Sequence, residues 1–238
     1  MSRSPAPIRT RVVALVLVAL ALVATAGAQD SAPVAATDAT LTGTLRLYVA
    51  RHGESAYNAE NRVQGQLDIP LTARGREQAA RLGDALRGAR LDAVYTSTLT
   101  RNRETARIAV PTTTAVALDE LKERHQGKFQ GLPATDAEFR RRSANPDDDM
   151  DGGETTAQLE ARVRMALARI RREHPTGEVL IVGHALTNQM ILRVLLDVPV
   201  ADAVRIAQQN EELYLVELRE SAVPRLWKLI RPSNLGDL

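Results

Sequence analysis

The sequence contains no cysteine. That excludes a thiol nucleophile, a disulfide framework and a lipid-modified N-terminal cysteine, while remaining compatible with an oxidising compartment. Aromatic residues make up only 3% of the chain, so its core has to be aliphatic. Lysine occurs only at positions 122, 128 and 228. Almost every basic residue is therefore arginine, whose planar fork can grip a phosphate through two hydrogen bonds at once. There is no internal repeat and no glycine-rich nucleotide loop of the Walker type. The acids Asp147, Asp148, Asp149 and Asp151 lie too close together for an organised calcium loop and read as a solvated loop. Nothing calls for a metal or a cofactor.

What is present suits a soluble globular protein. Hydrophobic residues amount to 44% and charged residues to 25% of 238, a length for one domain or at most two small ones. Arg9 and Arg11 precede an apolar run from Val12 to Ala24, and Ala26-Gly27-Ala28 then supplies small residues. This is the order of a secretory signal. The run falls short of the ~20 residues a spanning helix usually needs. The expectation is cleavage after Ala28 rather than a membrane anchor. That gives an exported protein, periplasmic or extracellular, with no stable membrane insertion after cleavage. Losing residues 1–28 removes three arginines and no acid, so 31 basic and 29 acidic residues become 28 and 29. The net charge goes from +2 to −1, and the pI of about 9.2 carries no argument for nucleic acid or acidic membranes as partners. Residues 29–43, rich in Ala, Thr, Ser and Asp, read as a flexible leader. Residues 44–232 read as the folded domain and 233–238 as a tail.

Within the domain, short apolar runs alternate with helical periodicity. Leu45 to Ala50, Leu91 to Thr96, Thr114 to Leu118 and Val179 to Val182 predict buried strands. Leu213 to Leu218 and Pro224 to Ile230 predict two closing strands. Ala79, Leu82 and Leu86 recur at helical spacing behind Thr72, a plausible N-cap. Helices are also predicted around 100–109, through Leu159, Val163, Leu167 and Ile170, and from about 185 to 196. The segment 124–153 reads as irregular. The pattern predicts an α/β fold, a three-layer sandwich with a mainly parallel central sheet flanked by helices. Sites in such folds form beyond the carboxyl ends of the strands. His52, Arg101 and His184 each follow a predicted strand, so they fall on one edge.

The local sequences sharpen this. The stretch ARHGESAYNAENRVQGQLDIPLTARGREQA carries Arg51-His52-Gly53-Glu54, Asn58 and Leu71-Thr72-x-x-Gly75. Ser97-Thr98-Leu99-x-Arg101-x-x-x-Thr105-Ala106, Leu121-x-Glu123-Arg124-His125-x-Gly127 and Val182-Gly183-His184 follow in order. Together these resemble the histidine phosphatase superfamily, which includes the cofactor-dependent phosphoglycerate mutases, over about residues 45–218. The resemblance implies a phosphoglycerate mutase-like fold and a metal-independent phosphoric monoester hydrolase. His52 would be the nucleophile, forming a covalent phosphohistidine. Arg51, Arg101, His184 and Asn58 would contact the phosphate. Glu123 would be the proton donor to the leaving oxygen, which requires a raised pKa. The substrate expected is a small phosphorylated molecule.

Two other readings stand beside this one. A mutase shares the chemistry as far as the phosphohistidine, and Glu123-Arg124-His125-x-Gly127 leans that way, although Gln126 stands where mutases usually carry tyrosine. The short segment Gly127 to Gly153 and the signal-like N-terminus favour a phosphatase. A phosphate-binding module without turnover is the second alternative. His125 is open between a site residue and a structural one. Arg140-Arg141-Arg142 is open between a solvated helix face and a guide for an acidic substrate.

Overall fold

Strand β1, Thr44–Arg51, alternates between the two faces of a sheet because successive side chains in a strand point to opposite sides. Leu45, Leu47 and Val49 fall in one apolar cluster, and Ala50 in another. Strand β4, Gly177–Gly183, does the same: Val179 and Ile181 enter the first cluster, Leu180 and Val182 the second. Strand β4 is buried on both faces from Val179 onward, while β1 is buried on one face and half-buried at Arg46 and Tyr48 on the other, which is why both read as largely apolar runs. A computed structural model describes residues 41, 43–203 and 205–229. The expected signal segment 1–28 and the tail 233–238 lie outside the described residues, as does the expected leader apart from Leu41 and Gly43. Leu41 is buried against the first cluster.

Six strands form one sheet in the order β3-β2-β4-β1-β5-β6, where β2 is Ala93–Ser97, β3 Val116–Leu118, β5 Leu213–Arg219 and β6 Arg225–Lys228. Strands β3, β2, β4 and β1 pair in parallel, and β5 and β6 join antiparallel. The expected α/β sandwich with a mainly parallel sheet is what is observed. Helix α2 (Ala73–Ala85) with its C-cap Leu86, and helix α3 (Thr100–Ala109), contribute Leu82, Leu86, Ala106 and Ala109 to one cluster. Helices α5 (Thr156–Glu173) and α6 (Ala185–Leu196) contribute Val163, Leu167, Ile170, Ile191 and Leu192 to the other. With burial of a large aliphatic side chain stabilising by about 1.5–3 kcal/mol, these two clusters hold the layers together.

The helices begin where their caps dictate. Thr72 Oγ1 accepts from Gly75 N at 3.0 Å at the head of α2, and Thr155 forms a reciprocal capping box with Gln158 at the head of α5. The segment 124–153 is less irregular than the sequence suggests. It contains a 3-10 turn at Gly127–Phe129 and helix α4, Ala137–Ser143, capped by Asp136. Beneath it Val63, Phe129 and Met150 form a small third cluster. Two four-residue helices, α1 (Ala56–Ala59) and α7 (Val200–Ala203), are too short to leave a periodic signal. Among the described residues, no helix is long and apolar enough to cross a membrane.

Candidate active site

The sheet register assembles the site. Arg51 pairs with Gly183, and Thr96 with Val182, so β1, β4 and β2 end side by side. His52 and His184 stand one residue past the paired ends, with His52 N donating to Gly183 O at 3.1 Å. Their rings meet edge to face, with centroids 5.1 Å apart. Arg101 lies in the first turn of α3, four residues beyond the end of β2, and is fully buried.

Hydrogen bonds fix the protonation of each imidazole. His52 Nδ1 lies 2.7 Å from Gly53 O. A carbonyl only accepts, so Nδ1 carries the proton and Nε2 keeps its lone pair. His184 Nδ1 lies 3.3 Å from Arg101 Nη2 and its Nε2 2.9 Å from Ser97 Oγ. A guanidinium only donates, so His184 holds its proton on Nε2. Burial, reinforced by the charges of Arg101 and Arg51, holds the His52 pKa well below the ordinary 6.5. Burial, Arg101, His52 and Arg51 do the same to His184. Both rings are therefore neutral beside two cations.

The two arginines are anchored differently. Arg101 donates through Nη1 to Leu67 O at 2.7 Å and through Nη2 to Gly65 O at 2.9 Å, which ties the loop before α2 to the site. Asp68 in the same loop accepts from Thr100 N and Thr100 Oγ1, both at 2.7 Å, in place of a side-chain cap on α3. Arg51, partly buried, donates from Nη1 to Gln208 O at 2.8 Å. Burial lowers both guanidinium pKa values, that of Arg101 to about 10, and a guanidinium keeps its charge in a protein. The Nε of each arginine is buried without a hydrogen-bond partner. Such a group costs about 1–3 kcal/mol unless something accepts from it. Two convergent cations with unused donors suit a multiply charged oxyanion.

Glu123 joins the same edge from the other side. Its Oε2 accepts from Leu186 N at 3.2 Å, and its Oε1 from Thr187 N at 3.1 Å and Arg124 N at 3.0 Å. The carboxylate thus caps the N-terminus of α6, where helix dipole and free N–H groups favour an anion. Its charge also acts on both Arg51 and Arg101.

Of the residues singled out in the sequence, His52, Arg51, Arg101, His184 and Glu123 converge. Asn58 shows no contact with them: its Oδ1 accepts from Ser55 N at 3.2 Å in a capping box, which leaves Nδ2 for the phosphate contact expected from the sequence. His184 has both ring nitrogens engaged, so it too has to give up a partner to meet a phosphate. A Cβ on Gly53 would lie 2.2 Å from Gly75 O, so this glycine admits the head of α2. His125 accepts from Gly127 N at Nδ1 and lies 3.3 Å from Gln130 Nε2 through Nε2, a structural arrangement. Arg142 bonds Asp148 and Asp151, so this arginine of the basic run clamps the acidic loop. That pairing holds the Asp148 pKa at about 2.

Several supporting residues escaped sequence reasoning. Asn210 Nδ2 donates to His52 O at 2.7 Å, and Asn102 Nδ2 to Val182 O and Gly183 O at 2.9 and 2.8 Å. Gln208 Nε2 donates to Val49 O and Glu212 O. Each braces a strand end that bears a site residue. The amide run Gln208-Gln209-Asn210 ahead of β5 was the only sequence signal for two of them. Among the described residues, no group of three His, Asp or Glu side chains is placed to hold a metal.

Comparisons with known proteins point the same way. A family model described as the histidine phosphatase superfamily (branch 1) matches residues 47–228. The probable phosphoglycerate mutase GpmB of Klebsiella pneumoniae is 31% identical over 186 residues, covering 74% of this chain and 86% of that protein. A mycobacterial glucosyl-3-phosphoglycerate phosphatase, solved as a complex with VO3, superposes with a TM-score of 0.68 at 28% identity, covering 76% of this chain and 96% of that one. The alpha-ribazole phosphatase of Shigella flexneri gives a TM-score of 0.69 at 25% identity, covering 78% and 96%.

Proposed function

The chain belongs to the histidine phosphatase superfamily, and from that premise we propose that it is an exported phosphatase that hydrolyses small phosphate monoesters through a phosphohistidine on His52. The observation that carries this is the His52 imidazole: neutral, protonated on Nδ1, and set among two arginines with unused donors.

The chemistry follows from those positions. Arg51 and Arg101 spread charge-assisted hydrogen bonds over the non-bridging oxygens, which offsets the repulsion between an anion and a nucleophile. The His52 Nε2 lone pair attacks phosphorus in line. The N–P bond forms as the P–O bond to the leaving group breaks. Glu123, having taken up a proton as the dianionic ester binds beside it, gives that proton to the departing oxygen, contributing ~10²–10⁴-fold. Water then attacks the phosphohistidine, Glu123 takes its proton, and His52 and inorganic phosphate are released. A phosphate dianion between the guanidinium groups offsets the charges that keep His184 neutral. It therefore favours a protonated His184 whose Nδ1–H donates to the phosphate in place of accepting from Arg101.

The mutase reading has an observation of its own in the GpmB relatives. The phosphatase reading is supported by the phosphatases among the structural neighbours, by the short segment 127–153, and by the signal-like residues 1–28, since a glycolytic mutase has its substrates in the cytoplasm.

The test is hydrolysis of para-nitrophenyl phosphate with excess EDTA, with His52→Ala alongside. Activity that survives EDTA and is lost in the variant is expected, together with acid-labile phosphate on His52 after an acid-free quench. Phosphoryl transfer between phosphoglycerate positions without net release of phosphate would instead establish the mutase. Export is tested separately: the secreted protein should begin at Gln29, and retention in the cytoplasm would remove that part of the reading.

A further inference from the structure

We propose that Arg162 is the positioning residue for the general acid, with Glu154 as its partner; this rests on the assignment of Glu123 as proton donor. Glu123 belongs to no helix or strand. It sits between two 3-10 turns, Asp119–Leu121 and Gly127–Phe129, so no backbone ladder fixes its place. One guanidinium spans it, alongside single bonds from Gln66 Nε2 to Glu123 O at 3.0 Å and from Thr187 Oγ1 to Lys122 O at 2.7 Å. From the second turn of α5, Arg162 donates through Nη1 to Glu120 O at 2.8 Å and Lys122 O at 2.6 Å, and through Nη2 to Glu123 O at 3.0 Å. Its Nε and Nη2 grip the two carboxylate oxygens of Glu154 at 2.7 and 2.9 Å. Glu154 Oε2 in turn accepts from His125 N at 2.8 Å. The ion pair therefore holds the backbone on both sides of Glu123, at 120–123 and at 125. Arg162 uses all five of its N–H groups on this task, and its side chain is only 15% exposed.

Neither residue hydrogen-bonds a side chain of the phosphate site, so the pair acts by contact through Glu123; the charge of Arg162 adds the smallest of the influences on His184. Leu186 N, Thr187 N and Arg124 N hold the carboxylate itself, but they set its position only if its backbone stays in place. A displacement of ~1 Å in a catalytic group can cost about 10²-fold.

The experiment measures kcat for para-nitrophenyl phosphate and for glycerol 2-phosphate, with the inhibition constant of inorganic phosphate, in the full chain. The variants are Glu123→Gln, Arg162→Gln, Arg162→Lys and Glu154→Gln, with a thermal melt for each. A nitrophenolate leaves with little help, whereas an alkoxide needs the proton. Arg162→Gln should slow glycerol 2-phosphate about tenfold more than the nitrophenyl ester, a fraction of the full acid contribution. Phosphate inhibition should stay within about threefold, and Glu123→Gln/Arg162→Gln should discriminate no more than Glu123→Gln alone. If Arg162→Gln does not fold, Arg162→Lys and Glu154→Gln carry the same comparison. Equal slowing of both substrates by the Arg162 and Glu154 variants, with Glu123→Gln still selective, overturns the positioning role alone. A Glu123→Gln variant without selectivity overturns the acid assignment first and this inference with it.

Discussion

His52 and His184 stand at the ends of strands paired from Leu45 with Gly177 to Arg51 with Gly183, while Glu123 stands on a stretch outside the sheet, held largely by side chains that reach its backbone. At the phosphate end, position is set by a ladder of backbone bonds inside two apolar clusters. At the acid end, it is set by Arg162 and Glu154, by Gln66 and the Thr187 hydroxyl, and by the first N–H groups of α6. The contrast matches the chemistry. Every monoester presents the same phosphoryl group, so a rigid grip serves all substrates. The alcohol differs from one substrate to the next, and the segment around the acid is where a different alcohol has to be met. A ladder tolerates most single side-chain changes, whereas a clamp made by one guanidinium does not.

The largest expected effect is at the phosphate end. His52→Ala should reduce turnover by roughly 10⁴-fold or more, with circular dichroism unchanged and a melting temperature close to wild type. Retention of substantial activity would take His52 out of the mechanism. Arg101→Met comes next. Loss of a preorganised donor to the transition state costs on the order of 10²–10³-fold. Arg101 also ties down Gly65 and Leu67, so its melting temperature should fall further than that of Arg51→Met, which loses one bond to Gln208 O. Equal melting shifts would show that the loop is held without Arg101.

The acid end should respond selectively. Glu123→Gln keeps an acceptor for the N–H groups of α6 but has no proton to give. It should slow alkyl phosphates by about 10²-fold or more and nitrophenyl phosphate by far less. Uniform slowing across leaving groups would argue that Glu123 is structural.

The pH profile separates the two ends in the unmodified enzyme. The His52 pKa is depressed, so the imidazole loses its proton at lower pH than an ordinary histidine and is a competent nucleophile below pH 6.5. After correction for ionisation of the substrate, kcat/KM should stay flat from neutral pH to below 6. In Arg101→Met one depressing charge is gone, so the acid limb should move up towards 6.5. A wild-type limb centred at 6.5 or above would show that the cations do not govern His52. The smallest effect is expected at Arg142, which clamps Asp148 and Asp151 away from the reacting groups. Arg142→Ala should change KM by a few-fold at most and leave kcat with nitrophenyl phosphate nearly unchanged. A large drop in kcat would place the acidic loop in the site.

The fold was legible where burial is uniform. The runs at 45–50 and 179–182 read as strands because the second is covered on both faces and the first on one face throughout, and helices α3 and α6 fell at 100–109 and 185–196 as their periodicity indicated. Helices α1, α4 and α7 were missed because so few turns leave no period to detect. In the site, His52, Arg101 and His184 were legible as residues just past strand ends. The braces Asn102, Asn210 and Arg162 were not, because their partners lie on elements distant in sequence. Arg142 and the acidic run were each visible, but their union was not.

The sequence by itself singled out the groups proposed to carry the chemistry and indicated that strand ends would present them, because residue type, chain order and apolar periodicity are local properties. Only the tertiary structure decided which nitrogen of His52 is free to attack, that the two arginines keep unused donors, and that Glu123 is set against the head of α6. Tautomer, desolvation and hydrogen-bond partner depend on what surrounds a side chain, and those surroundings exist only once distant segments are packed together.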